Sequence, residues 1–426
     1  MHPARRPTTV ALATTLVVAL AGSAAAAAPK TRLVSQTEGG VTGDSDSEIS
    51  ALSANGRFVA FQSYATNFPE SNAVVPMIYL VDMSTGAIRL VSTTSRGTPA
   101  TAGSFDASIS GDGRFIAFRS AAANLPSGNG TTTQVYVHDR LTGTTRLVSK
   151  TSGGVAADGA SGPPTISRDG RYVAFSSPAN NLPLGDGVLS QVYVHDRTTG
   201  KTKVVARTAS DFPDGNTQSP SISGDGRIVA FESRSTHLPQ GDGAAMMYAY
   251  DRSTRKARLV SVNGQGLAAD GPSAGAIVSA DGRVVTFWSR SSNLPGGDGT
   301  TDQVYAHDLT TGKTTLISKT TGGSAGTGGD STEPGISGDG RFIAYKSQAA
   351  NLPAGDGTRA HIYLFDRRTK TTRLLSRNSL RQPANANSFS PSISADGTFA
   401  SFESYATNLP GSRNSRTQVY VRGPLI

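Results

Sequence analysis

The sequence predicts an all-β chain: a seven-bladed β-propeller of four-stranded blades, in which the N-terminal strand completes the last blade. Three observations predict it. The phrase Ser-x-Asp-Gly-Arg-Phe-Ile-Ala-Phe, clean at Ser110 to Phe118, recurs with its glycine at Gly56, Gly113, Gly170, Gly226, Gly282, Gly340 and Gly397, always 56 to 58 residues apart. So constant a period marks one supersecondary unit copied along the chain, each copy burying its apolar surface against its neighbours. Each unit reads as four strands with no helical periodicity. The seventh unit lacks a fourth strand, and the N-terminus supplies one.

Blade two shows the elements in order. Ser108-Ile109-Ser110 is a short strand, Gly111-Asp112-Gly113 a tight turn of the kind Asp-Gly encodes, and Arg114 to Ser120 a second strand. A loop with Asn124-Leu125-Pro126 leads to a third strand, Gln134 to Asp139. A turn with Thr142-Gly143 then gives the fourth, Thr145 to Ser149. β-Branched and aromatic residues fill the strands, and Gly, Asp, Asn and Pro fill the turns. The leucine-like residue of the fourth strand follows the turn glycine by 33 or 34 positions, at Leu90, Leu147, Val204, Leu259, Leu316 and Leu374. In the seventh copy that position falls beyond Ile426. Thr31-Arg32-Leu33-Val34-Ser35 matches Thr145 to Ser149 closely, so it is expected to close the ring and remove the open edge.

Ahead of the repeats, Arg5 and Arg6 precede an apolar stretch from Val10 to about Ala21 and a small-residue segment, Gly22 to Ala28. This reads as a signal peptide over residues 1–28, leaving one propeller domain over 29–426. The apolar part is shorter than the ~20 residues of a membrane span. The expectation is therefore a secreted or otherwise extracytoplasmic, monomeric protein with no membrane span after cleavage. The chain has no cysteine, so neither a disulfide nor a lipid-modified cysteine is available. Removing Arg5 and Arg6 lowers the formal charge from +9 by two, to +7, which favours acidic partners. Nucleic acid is not expected, because no Lys/Arg run interleaves with aromatics.

Strand parity places the Asp-Gly turn and the Asp-Arg-x-Thr-Gly turn on one face, both short and alike. The long, variable second-to-third and blade-to-blade connections share the other face, where binding is expected. Residues found in every blade read as structural: Ser63, Ser120, Ser177, Ser233, Ser289, Ser347 and Ser404 as hydrogen-bonding residues, and His138, His195 and His307 as one repeat position. Gly271 to Gly275 and Gly322 to Gly326 match the hydrolase elbow pattern but lack a following helix. The phrase Leu-Pro-x-Gly-Asp-Gly offers one invariant carboxylate per loop, at Asp186, Asp242, Asp298 and Asp356, with Asp302 beside Asp298. Calcium needs six to eight oxygens, so the phrase reads as a turn signal and no metal is expected.

The informative positions are those that break the repeat. Trp288, the only tryptophan, stands where other blades have Gln62, Arg119, Ser176, Glu232, Lys346 and Glu403, at a strand end expected to be wetted. Arg290 is equivalent to Arg234, and His237 replaces an asparagine of the other blades. Tyr64 and Tyr405 are equivalent, on blades made neighbours by closure. Arg234, His237, Trp288, Arg290, Tyr64 and Tyr405 form the candidate ligand-binding set, cations and aromatics suited to a sugar or an anionic partner.

Ser-x-Asp-Gly-Arg-x-Ile-Ala-Phe, Gln-Val-Tyr-Val-x-Asp, Thr-Gly and Arg-Leu-Val-Ser together resemble the repeat of the TolB-type propellers of exported bacterial proteins, from about Thr31 to Ile426. The resemblance implies binding of a protein or ligand. Nothing here matches the separate N-terminal domain of TolB, so its particular partners are not carried over. Some similar propellers are polysaccharide lyases, which implies an alternative with His237 or His361, the non-repeat histidines, among the acid–base candidates. The expected function is a non-catalytic scaffold for a protein or anionic glycan of the cell envelope, with no cofactor.

Overall fold

The computed structural model describes residues 29–71, 74–205, 213–412 and 416–426; residues 1–28, read above as a signal peptide, lie outside the described residues. They form seven four-stranded antiparallel sheets, and no helix appears among them. Six sheets run in chain order. The seventh is ordered β1 (Lys30–Leu33), β28 (Gln418–Gly423), β27 (Ala400–Ser404), β26 (Ser388–Ile393), so the N-terminal strand closes the last blade. Its register pairs Thr31 with Arg422 and Leu33 with Tyr420.

Blade two comprises β6 (Ser104–Ile109), β7 (Phe115–Ser120), β8 (Gln134–Asp139) and β9 (Thr144–Leu147). Its first strand begins four residues earlier than the sequence suggests. A bulge between Phe105 and Ser108 breaks the alternation by which a strand is recognised. The same bulge recurs in every blade but the third, where Pro163 and Pro164 shorten β10 to Thr165–Ile166. Proline cannot take the positive φ that the bulge residue needs.

Each blade is centred on a buried aromatic pair from its second and third strands, such as Phe118 on Tyr136 at 5.8 Å and Phe175 on Tyr193 at 5.7 Å. On the short-turn face, an aromatic at the start of the second strand lies between two guanidinium groups. Arg114 and, from the next blade, Arg197 flank Phe115 at 4.7 and 4.1 Å. Arg57 with Arg140 flanks Phe58, and Arg171 with Arg252 flanks Tyr172. At blades four and five both members change together, and Ile228 and Leu309 share an apolar core. Gly113 packs here with φ 71°, where an added Cβ would lie 2.2 Å from the Phe58 ring.

The first strands surround a central channel. Near its short-turn end, seven backbone hydrogen bonds of 2.8–2.9 Å run from blade to blade: Ala54 to Gly111, on to Arg168, Gly224 and Ala280, then Asp281 to Gly338, on to Ala395, and Asp396 back to Ala54. This continuous ring is satisfied only when all seven blades are in place.

Candidate functional site

Parity holds in the structure. Arg57, after the first turn of its blade, bonds Asp82, before the second, at 2.7 Å, so the two short turns share a face. Gln62, Arg119, Ser176, Glu232, Trp288, Lys346 and Glu403 form an inner rim toward the opposite, long-loop face. The sequence suggests a wetted position. Instead Gln62, Ser176 and Glu403 are buried and the rest half-buried. In the six bulged blades the reason is that the preceding bulge turns backbone and side chains of the first strand onto them; in blade three the Ser176 hydroxyl lies against Gly162.

Ile49, Asp106, Ser219, Glu333 and Ser390 occupy the bulges with φ between 45° and 56°. Rim side chains cap their exposed amides across blade boundaries. Glu403 Oε1 accepts the Ile49 N–H at 2.5 Å, joining blade seven to blade one. Gln62 Oε1 accepts that of Asp106 at 3.4 Å, and its amide donates to Glu48 at 3.1 Å. Glu333 accepts the Ser390 N–H at 2.8 Å and pairs with Lys346, whose ammonium lies 5.6 Å from the Phe389 ring. Arg119 pairs with Asp106 and lies over Phe105 at 5.5 Å. Burial pushes the Glu403 carboxyl up to about 7; the Ile49 and Ser390 hydrogen bonds oppose this, while Glu48 and Glu333 reinforce it. Glu232 is also raised by burial, against the pull of Gln218 and Arg234.

Trp288 is half-buried and leans toward blade six, packing on the core that contains Tyr345 and Tyr363. It covers Gly275, where an added Cβ would lie 2.9 Å from the indole nitrogen, so the tryptophan in this position needs a glycine at the bulge. Arg290 makes a two-point pair with Asp302, at 3.1 and 2.9 Å, with Asp330 at 3.8 Å. Arg234 is exposed beside Glu232. His237 Nε2 lies 3.7 Å from Asp214, which also accepts the His237 and Thr236 amides. In other blades the asparagine at this position donates to a linker carbonyl, as Asn124 does to Pro99 and Asn293 to Ala268, both at 2.8 Å. Tyr64 and Tyr405 are 42% and 40% exposed, and Tyr405 meets Phe389 edge-on at 5.7 Å.

The repeated polar residues act within the fold. Ser120 and Ser347, for example, accept the amide two residues on; Ser120 also donates to the Gly103 carbonyl just before the first strand, and Ser347 accepts from Ser331 of the first strand. His138, His195 and His307 are buried with Nδ1 2.9–3.0 Å from a threonine hydroxyl. That hydroxyl donates to a carbonyl of the preceding linker, as Thr202 does to Lys150, so Nδ1–H is the donor and Nε2 the acceptor. Burial lowers all three, His195 and His307 to about 4. His361 is buried, 3.4 Å from Ser376 Oγ. Asp186, Asp298 and Asp356 each cap two amides of their own turns. Among the described residues, no three His, Cys, Asp or Glu side chains converge as a metal site.

The molecule is thus a closed seven-bladed propeller with a divergent rim. No family model matches the chain. The dipeptidyl-peptidase 5 of Trichophyton equinum is 34% identical over 139 residues, 31% of this chain, which covers only 18% of that protein. Among solved structures, an oligogalacturonate lyase in complex with manganese aligns over 93% of this chain and 90% of its own, at 15% identity and a TM-score of 0.55. TolB from Acinetobacter baumannii aligns over 78% and 64%, at 16% identity and a TM-score of 0.42. At 15% identity the likeness to the lyase is one of fold.

Proposed function

We propose that the protein is an exported, non-catalytic binding scaffold whose partner, a protein or anionic glycan of the cell envelope, docks on the long-loop face around the channel rim. One observation carries this reading. A single repeat position reads Gln, Arg, Ser, Glu, Trp, Lys and Glu around the ring, while the serine that follows it in every blade is unchanged. Gln62, Ser176 and Glu403 of this ring are buried, but Arg119, Glu232, Trp288 and Lys346 are only half-buried, and a packed scaffold that varies these four presents a specific surface without disturbing its core. Arg234, His237 and Arg290, together with the half-exposed Tyr64 and Tyr405, add cations and aromatic faces to that surface.

A pull-down and a glycan array on the mature protein test the reading. Arg234→Ala and Trp288→Ala should each weaken capture, and the charge change Lys256→Gln/Lys313→Gln on the short-turn face should not. Capture that is indifferent to every rim variant would refute the assignment. Cleavage of a polyuronate that disappears in His237→Ala would support a lyase instead.

A further inference from the structure

A well-formed cavity lies away from this rim, between blades two and three on the short-turn face. It measures about 410 Å³ and is lined by Arg114, Asp139, Arg146, Lys150, His195 and Arg197, with Thr142 and Thr144 beside them. That volume falls within the ~300–1,000 Å³ of small-molecule sites.

Its charge is one-sided. Arg114 neutralises Asp139 through a two-point pair at 2.9 and 2.7 Å. Arg197 is fixed over Phe115 and donates to the Gly170 carbonyl. The head groups of Arg146 and Lys150 make no hydrogen bond or ion pair with a described residue. Three cations thus face the cleft with no remaining carboxylate.

The repeat explains why this cleft stays open. Arg258 and Arg373 are the counterparts of Arg146, and each reaches across to the next blade, donating to the Leu309 carbonyl at 2.6 Å and the Leu425 carbonyl at 2.7 Å. In those clefts the residue in the place of Arg197, whose N–H bonds the Arg171 carbonyl, is Leu309 or Leu425, bonded in the same way to Arg283 and Thr398. Between blades two and three that place is cationic, so like-charge repulsion holds Arg146 back. The sequence places a cation at each of these three positions here, Arg146, Lys150 and Arg197, and again between blades three and four, Lys203, Arg207 and Arg252; of the two clefts, this one has all three positions among the described residues.

We infer that this cleft is a binding site for a sugar-sized ligand carrying an oxyanion: a carboxylate, sulfate or phosphate. Arg146 and Lys150 supply free charge-assisted donors, and Arg197 is a pre-oriented guanidinium. Neutral His195 and the Thr142 and Thr144 hydroxyls provide the partners that sugar hydroxyls need. The site is independent of the rim proposed above and lies on the opposite face.

Calorimetric titration with glucuronate, glucose 6-sulfate, glucose 6-phosphate and glucose tests it. One or more anions should bind, with the ranking identifying the preferred oxyanion, and glucose should not. Arg146→Gln/Lys150→Gln should weaken binding at least about tenfold, the loss of one charge-assisted hydrogen bond. The charge-matched Lys256→Gln/Lys313→Gln should bind as the parent does. On saturation with the best anion, the imidazole resonances of His195 should shift while those of His307, its equivalent between blades four and five, stay. Absence of binding by all three anions, equal binding of glucose, parental affinity in the folded cleft variant, or unmoved His195 resonances would each overturn the inference.

Discussion

Deleting residues 30–35 should destabilise the whole ring and not merely fray a terminus. Leu33 and Val34 are 5% and 1% exposed, packed in the cores of blades seven and one respectively. Their lost burial costs ~1.5–3 kcal/mol each, about 3–6 kcal/mol together. The polar losses add to this. Ser35 Oγ donates to Gln418 and accepts the Val419 amide, and Thr31 Oγ1 accepts from the buried Arg422 at 2.7 Å while donating to the Arg377 carbonyl. Arg422 already has its pKa lowered to about 10 by burial and by Arg377 and Arg373. Removing Thr31 takes away one of its two acceptors. Against a total of ~5–15 kcal/mol, the sum is a large share, and the edge of β28 is left unpaired. Thermal unfolding followed by circular dichroism should show either no cooperative transition or a large fall in Tm, with aggregation. If the truncated protein melted with the parent, the closing strand would be a passenger and this reasoning wrong.

Three further outcomes are expected. Glu403 is raised from 4.5 to about 7, so the stability it confers is fully present below pH 4.5 and lost as pH rises through 7; in Glu403→Gln, Tm measured across this range should lose that decline, and an unchanged slope would clear Glu403 of it. Chelator should leave Tm unmoved, because the loop carboxylates already cap amides; a fall reversed by added calcium would make Asp186, Asp242, Asp298 and Asp356 metal candidates. Leu309→Arg should destabilise blades four and five, and adding Ile228→Phe should restore part of the loss, about 0.5–1 kcal/mol of coupling in a denaturant double-mutant cycle; additive effects would show that the two positions do not read each other.

Sequence alone determined the architecture, because a propeller is a local rule applied seven times. Period, Asp-Gly turns and strand composition are all short-range properties, and the match of Thr31–Ser35 to Thr145–Ser149 made even ring closure legible. The serine and histidine repeats were likewise readable as structural, since one site does not need seven copies. Only the tertiary structure decided what lies across a blade boundary. The bulge that buries Gln62 and Glu403 leaves no short-range mark, because its left-handed residues, Ile49, Asp106, Ser219, Gly275, Glu333 and Ser390, share no residue type across the blades. The cap of Glu403 on Ile49 joins residues 354 apart in the chain. Trp288 stood out as an exception, but its lean toward blade six follows from the space over Gly275. The basic cleft was invisible for the same reason: Arg146 is an ordinary repeat residue, and it is set apart from Arg258 and Arg373 only because the blade beside it presents Arg197 where theirs present Leu309 and Leu425.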